Sequence, residues 1–306
     1  MSDAVPVERE SHSRRVWQLA WPSILSNLLF TTVGFMHIKI VAELGTSAVA
    51  AVTTGHRVFF LIQAILMGVS IAATAMISRA WGARDIRQAE MDTWTALTVS
   101  IALAAVLSLP ALLIPEQLAG LFGLDDETTR LAGTFIFWLG VFNVATAVNM
   151  ILQTALRATG DVITPLWILS FSTVLNISFG FCLAYGLGPL PAMGVAGVAL
   201  GGSSASTLVT IVFATLWWRG RFNLRPVKRL SIDWLATRRL AAIGMPSIIE
   251  QGVVQLAFLL FFGIVAQYGT APYAAYGIGV SLVSFPIVVG FGFGIAAATL
   301  VGQQLG

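Results

Sequence analysis

Charged residues are scarce in this sequence, and their scarcity excludes a water-soluble globular protein. Only 10% of the 306 residues are Asp, Glu, Lys or Arg, whereas 57% are hydrophobic. A soluble domain carries about 25% charged residues, because its surface has to face water. The composition therefore predicts a polytopic, all-α integral membrane protein.

Cysteines, metal-binding clusters and nucleotide motifs are also missing or nearly so. The single cysteine, Cys182, forms no intrachain disulfide, and its position in an apolar stretch indicates inert packing. The sequence contains no Cys/His cluster with metal-ligand spacing, no Walker A motif and no evident nucleophile–base pair. We therefore expect no metal site, no cofactor, no enzyme activity and no use of ATP.

The N-terminus lacks the pattern of a removable signal peptide. Residues 1–15 are polar and charged, which is a longer polar lead-in than a signal peptide has, and no A-x-A cleavage site follows. We expect residues 1–15 to form a tail and the first apolar helix to remain as a membrane span.

What the sequence contains instead is a series of apolar stretches long enough to cross a bilayer, which takes about 20 residues as a helix. Their spacing predicts eight spans. They lie at 16–42, 48–78, 92–114, 128–156, 164–187, 194–218, 241–268 and 273–304.

Positive charges follow these spans alternately. Arg and Lys occur before the first span and in every second loop, whereas the loops at 43–47, 115–127, 188–193 and 269–272 contain none. The positive-inside rule places the basic loops in the cytoplasm. We therefore predict a multi-pass protein of the cytoplasmic (inner) membrane with a cytoplasmic N-terminus. The basic pI is attributed to these loops, and no nucleic-acid partner is expected.

An internal duplication becomes visible when the sequence is shifted by 224 residues, which carries Pro22 onto Pro246. "WPSILSN" then meets "MPSIIEQ", "IVAELGTSAVAAV" meets "IVAQYGTAPYAAY", and "GVSIAATAMISRAWG" meets "GFGIAAATLVGQQLG". Six spans separate the copies, so both run in the same direction, as in transporter folds built from parallel repeats.

The predicted fold is thus a parallel six-helix repeat, with the first bundle complete and the first two helices of a second. We divide the chain into a cytoplasmic tail at 1–15, an N-lobe at 16–218, a basic cytoplasmic linker at 219–240 and the start of a C-lobe at 241–306. The linker can alternatively bind lipid headgroups or a partner. Since the second copy stops after two spans, we expect a truncated second repeat.

Glu250 is the acidic residue that lies well inside a predicted span. It is about nine residues, or ~14 Å, from the basic linker and hence near the bilayer midplane. A carboxylate at that depth has to be neutralised by a proton, a cation or a partner, and intramembrane ionisable groups are functional by default. The alternative is a helix-packing carboxylate bound to a neighbouring amide or hydroxyl.

The first copy carries Ser26 at the corresponding position and has His37 and Lys39 further along. Lys39 lies near the outer end of its helix and can extend to the headgroups. His56 lies on the second span at a depth similar to that of His37, so the two imidazoles can approach each other. Such a pair is either a proton site or a polar contact in the outer leaflet. Arg57 is interpreted as an interfacial or internal ion partner.

Several amides, two prolines and a glycine-rich run complete the candidates. Asn149 and Gln153 are four residues apart and share a helix face. Pro22 and Pro246 occupy equal places in the two copies, where each kinks its helix for packing or breaks it beside a binding site. The "GVAGVALGG" run at 194–202 predicts close helix packing. The amides in or near spans are Asn27, Gln63, Asn143, Asn149, Gln153, Asn176, Gln251 and Gln255.

These stretches resemble the multidrug and toxic compound extrusion (MATE) transporters over nearly the whole chain. The resemblance implies a two-lobed bundle of about twelve helices around a central cleft, which exports organic cations or drugs in exchange for H⁺ or Na⁺. The matching segments are "AWPSILSNLL", "ELGTSAVAAV", "LRATGDVITP" with "LNISFGF", "GLGPLPAMGVAGVAL", and "IGMPSIIEQ" through "AAATLVGQQLG".

The chain departs from this family at two acidic positions. Members commonly carry an aspartate in the first helix, where this chain has His37, and many carry an acid four residues after the asparagine of the fifth helix. Asn176 is present here, but Gly180 takes the place of that acid. The glutamate four residues after the proline of the seventh helix is matched by Glu250. The resemblance therefore implies that Glu250 is the exchanging carboxylate, with His37 as a substitute proton carrier.

We accordingly predict a secondary-active antiporter that exports organic cations by alternating access, with H⁺ or Na⁺ as coupling ion. It is expected to be a monomer, if complete, in contact with membrane lipid. Two alternatives stay open: a lipid-linked-saccharide flippase of the related superfamily, which calls for cationic residues along the cleft, and a truncated remnant that does not transport. The candidate residues for cation or substrate binding are Glu250, His37, Asn176, Gln251, Asn149 and Gln153.

Overall fold

The computed structural model describes residues 6–187, 191–227, 233–266 and 270–306, and all regular structure in these ranges is helical. This confirms the predicted all-α class. The helices are α1 (Pro6–Ala42), α2 (Thr46–Gly82), α3 (Ile86–Leu113), α4 (Pro115–Gly120), α5 (Asp126–Val141), α6 (Asn143–Ala158), α7 (Ile163–Tyr185), α8 (Gly194–Trp218), α9 (Trp234–Ala266) and α10 (Thr270–Leu305).

Seven of these helices are long and apolar enough to cross a membrane, and α5 with α6 can form an eighth span. With that pair counted once, six spans precede the basic linker and two follow it, as the duplication predicts. The multi-pass architecture is therefore that of the predicted parallel repeat. One side of the bundle is called the basic side. It is the side at which α1 begins and at which α2, α6 and α8 end.

The predicted span at 128–156 is broken in the structure. α5 and α6 meet at an angle of 51° around Phe142. The first residue of α6, Asn143, is fully buried and donates to Ala104 O at 3.2 Å and Ser108 Oγ at 3.1 Å on α3. These bonds tie the break to the neighbouring helix. The short helix α4 lies in the predicted loop 115–127 and begins with Pro115, whose fixed φ suits a first helical turn.

The linker is shorter than predicted, because α9 begins at Trp234 rather than at 241. The carboxylate of Asp233 accepts from the backbone N–H groups of Leu235 at 2.9 Å and Ala236 at 3.2 Å, which caps this helix. Ahead of it, Leu224 is buried and Arg225 N donates to Glu90 Oε1 at 3.0 Å. The linker therefore packs against α3. Lys228 and Arg229 lie outside the described residues.

Two glycines related by the 224-residue shift hold the repeats together. A Cβ on Gly68 of α2 would collide with Ile248 of α9, 3.0 Å from its backbone N. A Cβ on Gly292 of α10 would collide with Ile24 of α1, 2.9 Å from its backbone N. Each glycine is the repeat equivalent of the other, and so is each isoleucine. The two hairpins thus pack about a local two-fold axis.

Further contacts between the repeats lie on the basic side. Gln303 Nε2 donates to Ala158 O at 2.9 Å, at the end of α6. A Cβ on Gly302 would overlap the hydroxyl of Ser78, its repeat equivalent. Two of the sequence segments that carried the family resemblance, 156–165 and 296–306, therefore meet at this end of the molecule.

The glycine-rich run at the start of α8 forms the close helix packing that its sequence predicts. A Cβ on Gly197 would overlap the backbone of Leu183, and one on Gly201 would overlap the backbone of Phe179, both on α7. α7 and α8 consequently approach each other at backbone distance. This approach positions the polar site described next.

Candidate functional site

A buried polar cluster lies inside the first repeat, where α1, α7 and α8 meet. His37 of α1 is 3% exposed, and its Nε2 lies 2.8 Å from Asn176 Oδ1 on α7. Asn176 in turn donates from Nδ2 to Gly202 O at 2.8 Å and to Ser206 Oγ at 2.9 Å on α8. The structure therefore brings together two of the residues predicted for the site, His37 and Asn176.

These bonds fix the tautomer of a neutral His37. Because Nδ2 of Asn176 donates to a backbone carbonyl, the amide is oriented with Oδ1 toward the imidazole. A carbonyl oxygen only accepts, so Nε2 of His37 carries the hydrogen and Nδ1 carries the lone pair. Nδ1 is buried and has no hydrogen-bond partner. The cluster thus holds an unpartnered nitrogen lone pair inside a spanning helix bundle.

His56 of α2 lies beside His37, as the hairpin between the first two spans predicts. The ring centroids are 5.5 Å apart and the planes differ by 23°. Phe135 of α5 packs against His56. The ring centroids are 5.1 Å apart, and the two ring planes differ by 67°. Nε2 of His56 is likewise buried without a partner.

Glycines make room for this arrangement at two points. A Cβ on Gly202 would lie 2.9 Å from Asn176 Oδ1 and 3.1 Å from His37 Nε2. A Cβ on Gly55 would overlap the ring of Phe135. Sequence reasoning assigned the glycine-rich run of α8 to packing and did not connect it, Ser206 or Phe135 with the histidines. The adjacent glycines of "GVAGVALGG" were the available signal.

Two other predicted residues form a separate polar ladder along α6. Gln153 Nε2 donates to Asn149 Oδ1 at 2.6 Å, as their spacing of four predicts, and Arg157 Nη2 donates to Gln153 Oε1 at 2.9 Å. Gln153 is buried, and Asn149 and Arg157 are half-buried. The ladder engages both polar atoms of the Gln153 amide and places one guanidinium near the basic side.

Glu250 and Gln251 lie on α9, in the other repeat, and the described contacts do not join them to the histidine cluster. Glu250 is exposed, which corrects the expectation of a buried carboxylate, whereas Gln251 is half-buried. The packing face of α9 runs through Gly244 and Ile248, and Glu250 points away from it. The repeat equivalent, Ser26, is buried and donates to Pro22 O at 2.8 Å.

The remaining candidates are two prolines and two cationic residues. Pro22 and Pro246 both lie inside helices, where each removes one backbone hydrogen bond. Lys39 is exposed near the end of α1, and Arg57 is exposed on α2. Within the described ranges, no group of three or more His, Cys, Asp or Glu side chains is arranged to hold a metal ion.

Comparison with known sequences finds a family model and several relatives. The model described as MatE matches residues 22–182 and 246–306. Two proteins named "Probable multidrug resistance protein NorM" are similar to the chain. The one from Bradyrhizobium diazoefficiens is 30% identical over 304 residues, and the one from Thermotoga maritima is 25% identical over 295 residues. Each alignment covers 94% of this chain and 62% of the relative, so the chain spans less than two thirds of their length.

A solved structure has the same fold. The MATE transporter VcmN of Vibrio cholerae in its bent form superposes with a TM-score of 0.85 at 21% identity. The match covers 96% of this chain and 66% of the VcmN chain.

Proposed function

Because this chain belongs to the MATE family, we propose that it works as a secondary-active antiporter that exports organic cations or drugs in exchange for H⁺ or Na⁺. The names of the NorM relatives support the export of drugs, and the duplicated helical architecture supports transport between two lobes. The family is one of transporters, so the prediction that the chain is not an enzyme is confirmed.

The observation that carries this proposal is a carboxylate on the face of α9 that points away from the first repeat. Glu250 lies inside the candidate span Trp234–Ala257 and is exposed, among apolar neighbours such as Ile249 and Val253. Charged side chains in spanning helices face a bundle interior or a water-filled cavity rather than lipid, because hydrocarbon does not solvate them. We therefore place the substrate path along this face of α9.

On this face, Glu250 exchanges its ligands. A protonated or Na⁺-bound carboxylate cannot simultaneously pair with an organic cation, so the two ligands compete for one site. Release of the coupling ion on one side and of the drug on the other then gives antiport. An inward gradient of the coupling ion drives the drug outward, and the basic loops support a cytoplasmic N-terminus.

The test is efflux of a fluorescent organic cation from vesicles that contain the purified protein, driven either by a proton gradient or by a sodium gradient. We expect Glu250→Gln to abolish efflux at unchanged protein level. The matched control is Glu43→Gln, which removes an exposed carboxylate at the end of α1. Normal efflux by Glu250→Gln would contradict the proposal, and accumulation of lipid-linked precursors in deletion cells would favour a flippase.

A further inference from the structure

We propose that one anionic phospholipid binds along α7 and α8 on the basic side of the bundle. One of its acyl chains lies in an apolar groove between the two helices, and its phosphate is bound by arginines that follow α8. This binding site is separate from the proposed export activity and does not depend on it.

The α7–α8 groove has a volume of about 360 Å³ and lies on the outer surface of the helix pair. Val209 and Phe213 are buried and form its floor. The side chains along its edges are more than half exposed. They are Trp167 and Phe171 on α7 and Leu208 and Val212 on α8. Since every residue that lines the groove is apolar or aromatic, hydrocarbon is the occupant that suits it.

The groove begins where the packing between α7 and α8 changes. On the part of α8 that is far from the basic side, Gly197 and Gly201 bring the two backbones into contact. Nearer to the basic side, bulky residues such as Phe213 replace glycine on α8. The distance between packed helices depends on the side chains at their contact. The pair therefore has room for a ligand at its basic end.

The length of the groove matches the hydrocarbon of one leaflet. Its lining extends from Trp167 to Leu175 on α7 and from Leu208 to Leu216 on α8. Each segment rises ~12 Å at 1.5 Å per residue, compared with ~15 Å for half of a bilayer core. Trp167 and, beyond the groove, Trp218 are exposed near the two helix ends, where indole side chains mark the headgroup level. An acyl chain of the leaflet on the basic side can thus enter the groove directly.

The end of α8 turns an arginine back toward this groove. Gly220 has a φ of 70°, its N–H donates to Trp217 O at 2.9 Å, and the N–H of Arg221 donates to Leu216 O at 3.1 Å. These two bonds form a Schellman motif. Because Leu216 lines the groove, the motif brings Arg221 to the basic end of the groove. Arg219 and Arg221 are both exposed there.

A third arginine lies beside the same turn. A Cβ on Gly220 would lie 3.6 Å from Nε of Arg225. Phe222 packs edge-on against Phe213, with ring centroids 5.4 Å apart and planes that differ by 88°. Since Phe213 is part of the groove floor, this contact holds the arginine-rich turn below the groove. Guanidinium groups bind phosphate through paired, charge-assisted hydrogen bonds.

The charge around the turn favours an anion. Residues 219–229 contain five Arg or Lys and no acidic residue, and α7 and α8 contain no acidic residue. Two carboxylates from adjoining segments already accept from backbone N–H groups. Glu90 binds that of Arg225 and Asp161 binds that of Thr164, both at 3.0 Å. Clusters of Arg and Lys next to a span are typical of sites for anionic lipid headgroups.

The test is a lipid titration of the purified chain in detergent, followed by native mass spectrometry. Dioleoyl-phosphatidylglycerol should bind more tightly than dioleoyl-phosphatidylcholine, which has the same acyl chains and no net charge. The double variant Arg219→Gln with Arg221→Gln should bind the anionic lipid about 30-fold more weakly. The matched control, Arg14→Gln with Arg15→Gln, removes two exposed arginines from α1 and should leave the affinity unchanged.

A second pair of variants tests the groove separately. Val212→Trp places an indole in the groove and should weaken the binding of the anionic lipid. Ile211→Trp is the control, because residue 211 is 57% exposed, close to the 59% of residue 212, and does not line the groove. A phosphatidylglycerol with a photoreactive group in its acyl chain should crosslink within 167–175 and 208–216. Thermal unfolding of each variant without added lipid verifies that it is folded.

Equal affinity for the two lipids would overturn the proposal, because it would mean ordinary solvation by the bilayer. Weaker binding in the arginine variant but not in Val212→Trp would also reject it, since a basic surface without the groove would then suffice. Crosslinks confined to other segments would have the same meaning. None of these measurements uses efflux, so a failure of the proposed export would leave this site standing.

Discussion

At the scale of single residues, Asn176 matters because its hydrogen bonds join three helices, α1, α7 and α8. It accepts from His37 and donates to Gly202 O and Ser206 Oγ. We predict that Asn176→Leu destabilises the protein by about 1–3 kcal/mol for each buried group left without a partner. Thermal unfolding in detergent measures this loss. Asn149→Leu is the control. Asn149 is half-buried and accepts from Gln153 on its own helix, so this substitution should destabilise the protein less.

Gly202 offers a second test at this scale. A Cβ there would lie 2.9 Å from Asn176 Oδ1 and 3.1 Å from His37 Nε2, so Gly202→Ala must displace one of these side chains. We expect a loss of about 1–3 kcal/mol in unfolding free energy, as for other overpacked sites, and altered His37 NMR signals. Gly34→Ala on α1 meets nothing within 4 Å and should be neutral or stabilising. Equal behaviour of the two variants would contradict the tight packing.

The sequence predicted part of this site and missed the rest for physical reasons. The proximity of His37 and His56 follows from two helices joined by a short turn, which sequence spacing can reveal. The role of Phe135 does not, because it depends on how α5 crosses α2 many residues away. The exposure of Glu250 depends on the rotation of α9 about its axis, which the weak periodicity of a mostly apolar helix does not define.

At the scale of elements, the two glycines between the repeats carry the packing of four helices. A Cβ on Gly68 would lie 3.0 Å from the backbone N of Ile248, and one on Gly292 would lie 2.9 Å from that of Ile24. We predict that Gly68→Ala and Gly292→Ala each lower the thermal stability, and by similar amounts, because the two contacts are equivalent. Gly252→Ala on α9, which meets nothing within 4 Å, is the matched control. A large effect of one variant with none of the other would reject the two-fold packing.

The cap of α9 gives an independent prediction about an element boundary. Asp233→Ala removes the acceptor for Leu235 N and Ala236 N, so the first turn of α9 should fray at a cost of about 0.5–2 kcal/mol. Limited proteolysis within 219–240 should then accelerate. Asp233→Asn, which retains a capping oxygen, should restore resistance, and unchanged cleavage in the alanine variant would argue against the cap.

Element boundaries also show where sequence reasoning fails. The apolar stretch 128–156 predicted one span and gave no sign of a break, since hydropathy measures composition and not direction. The break at Phe142 instead depends on Asn143 binding Ala104 and Ser108 on α3. The capping carboxylate of Asp233 was visible in the sequence, yet the polar basic stretch around it favoured a linker.

At the scale of the whole molecule, the distribution of positive charge predicts orientation. After Cys182→Ala removes the native thiol, Leu44→Cys and Arg221→Cys place single thiols at exposed positions in opposite loops. An impermeant maleimide added outside intact cells should label residue 44 and not residue 221. Labelling of both after permeabilisation is the control, and the reverse pattern would contradict the positive-inside assignment.

The paired glycines have a consequence for how the two halves can diverge. A contact across a two-fold axis is isologous, so in a symmetric ancestor each residue at the axis would have acted twice, and one substitution would have altered two contacts. Positions away from the axis carry no such coupling. Gly68 and Gly292 have remained identical, whereas Ser26 faces Glu250 in the alignment and His37 faces Phe261. The contacts at Gly68 and Gly292 thus constrain both copies together. Positions away from the axis are free to specialise, and the first copy has gained an imidazole at His37 whereas the second has gained a carboxylate at Glu250.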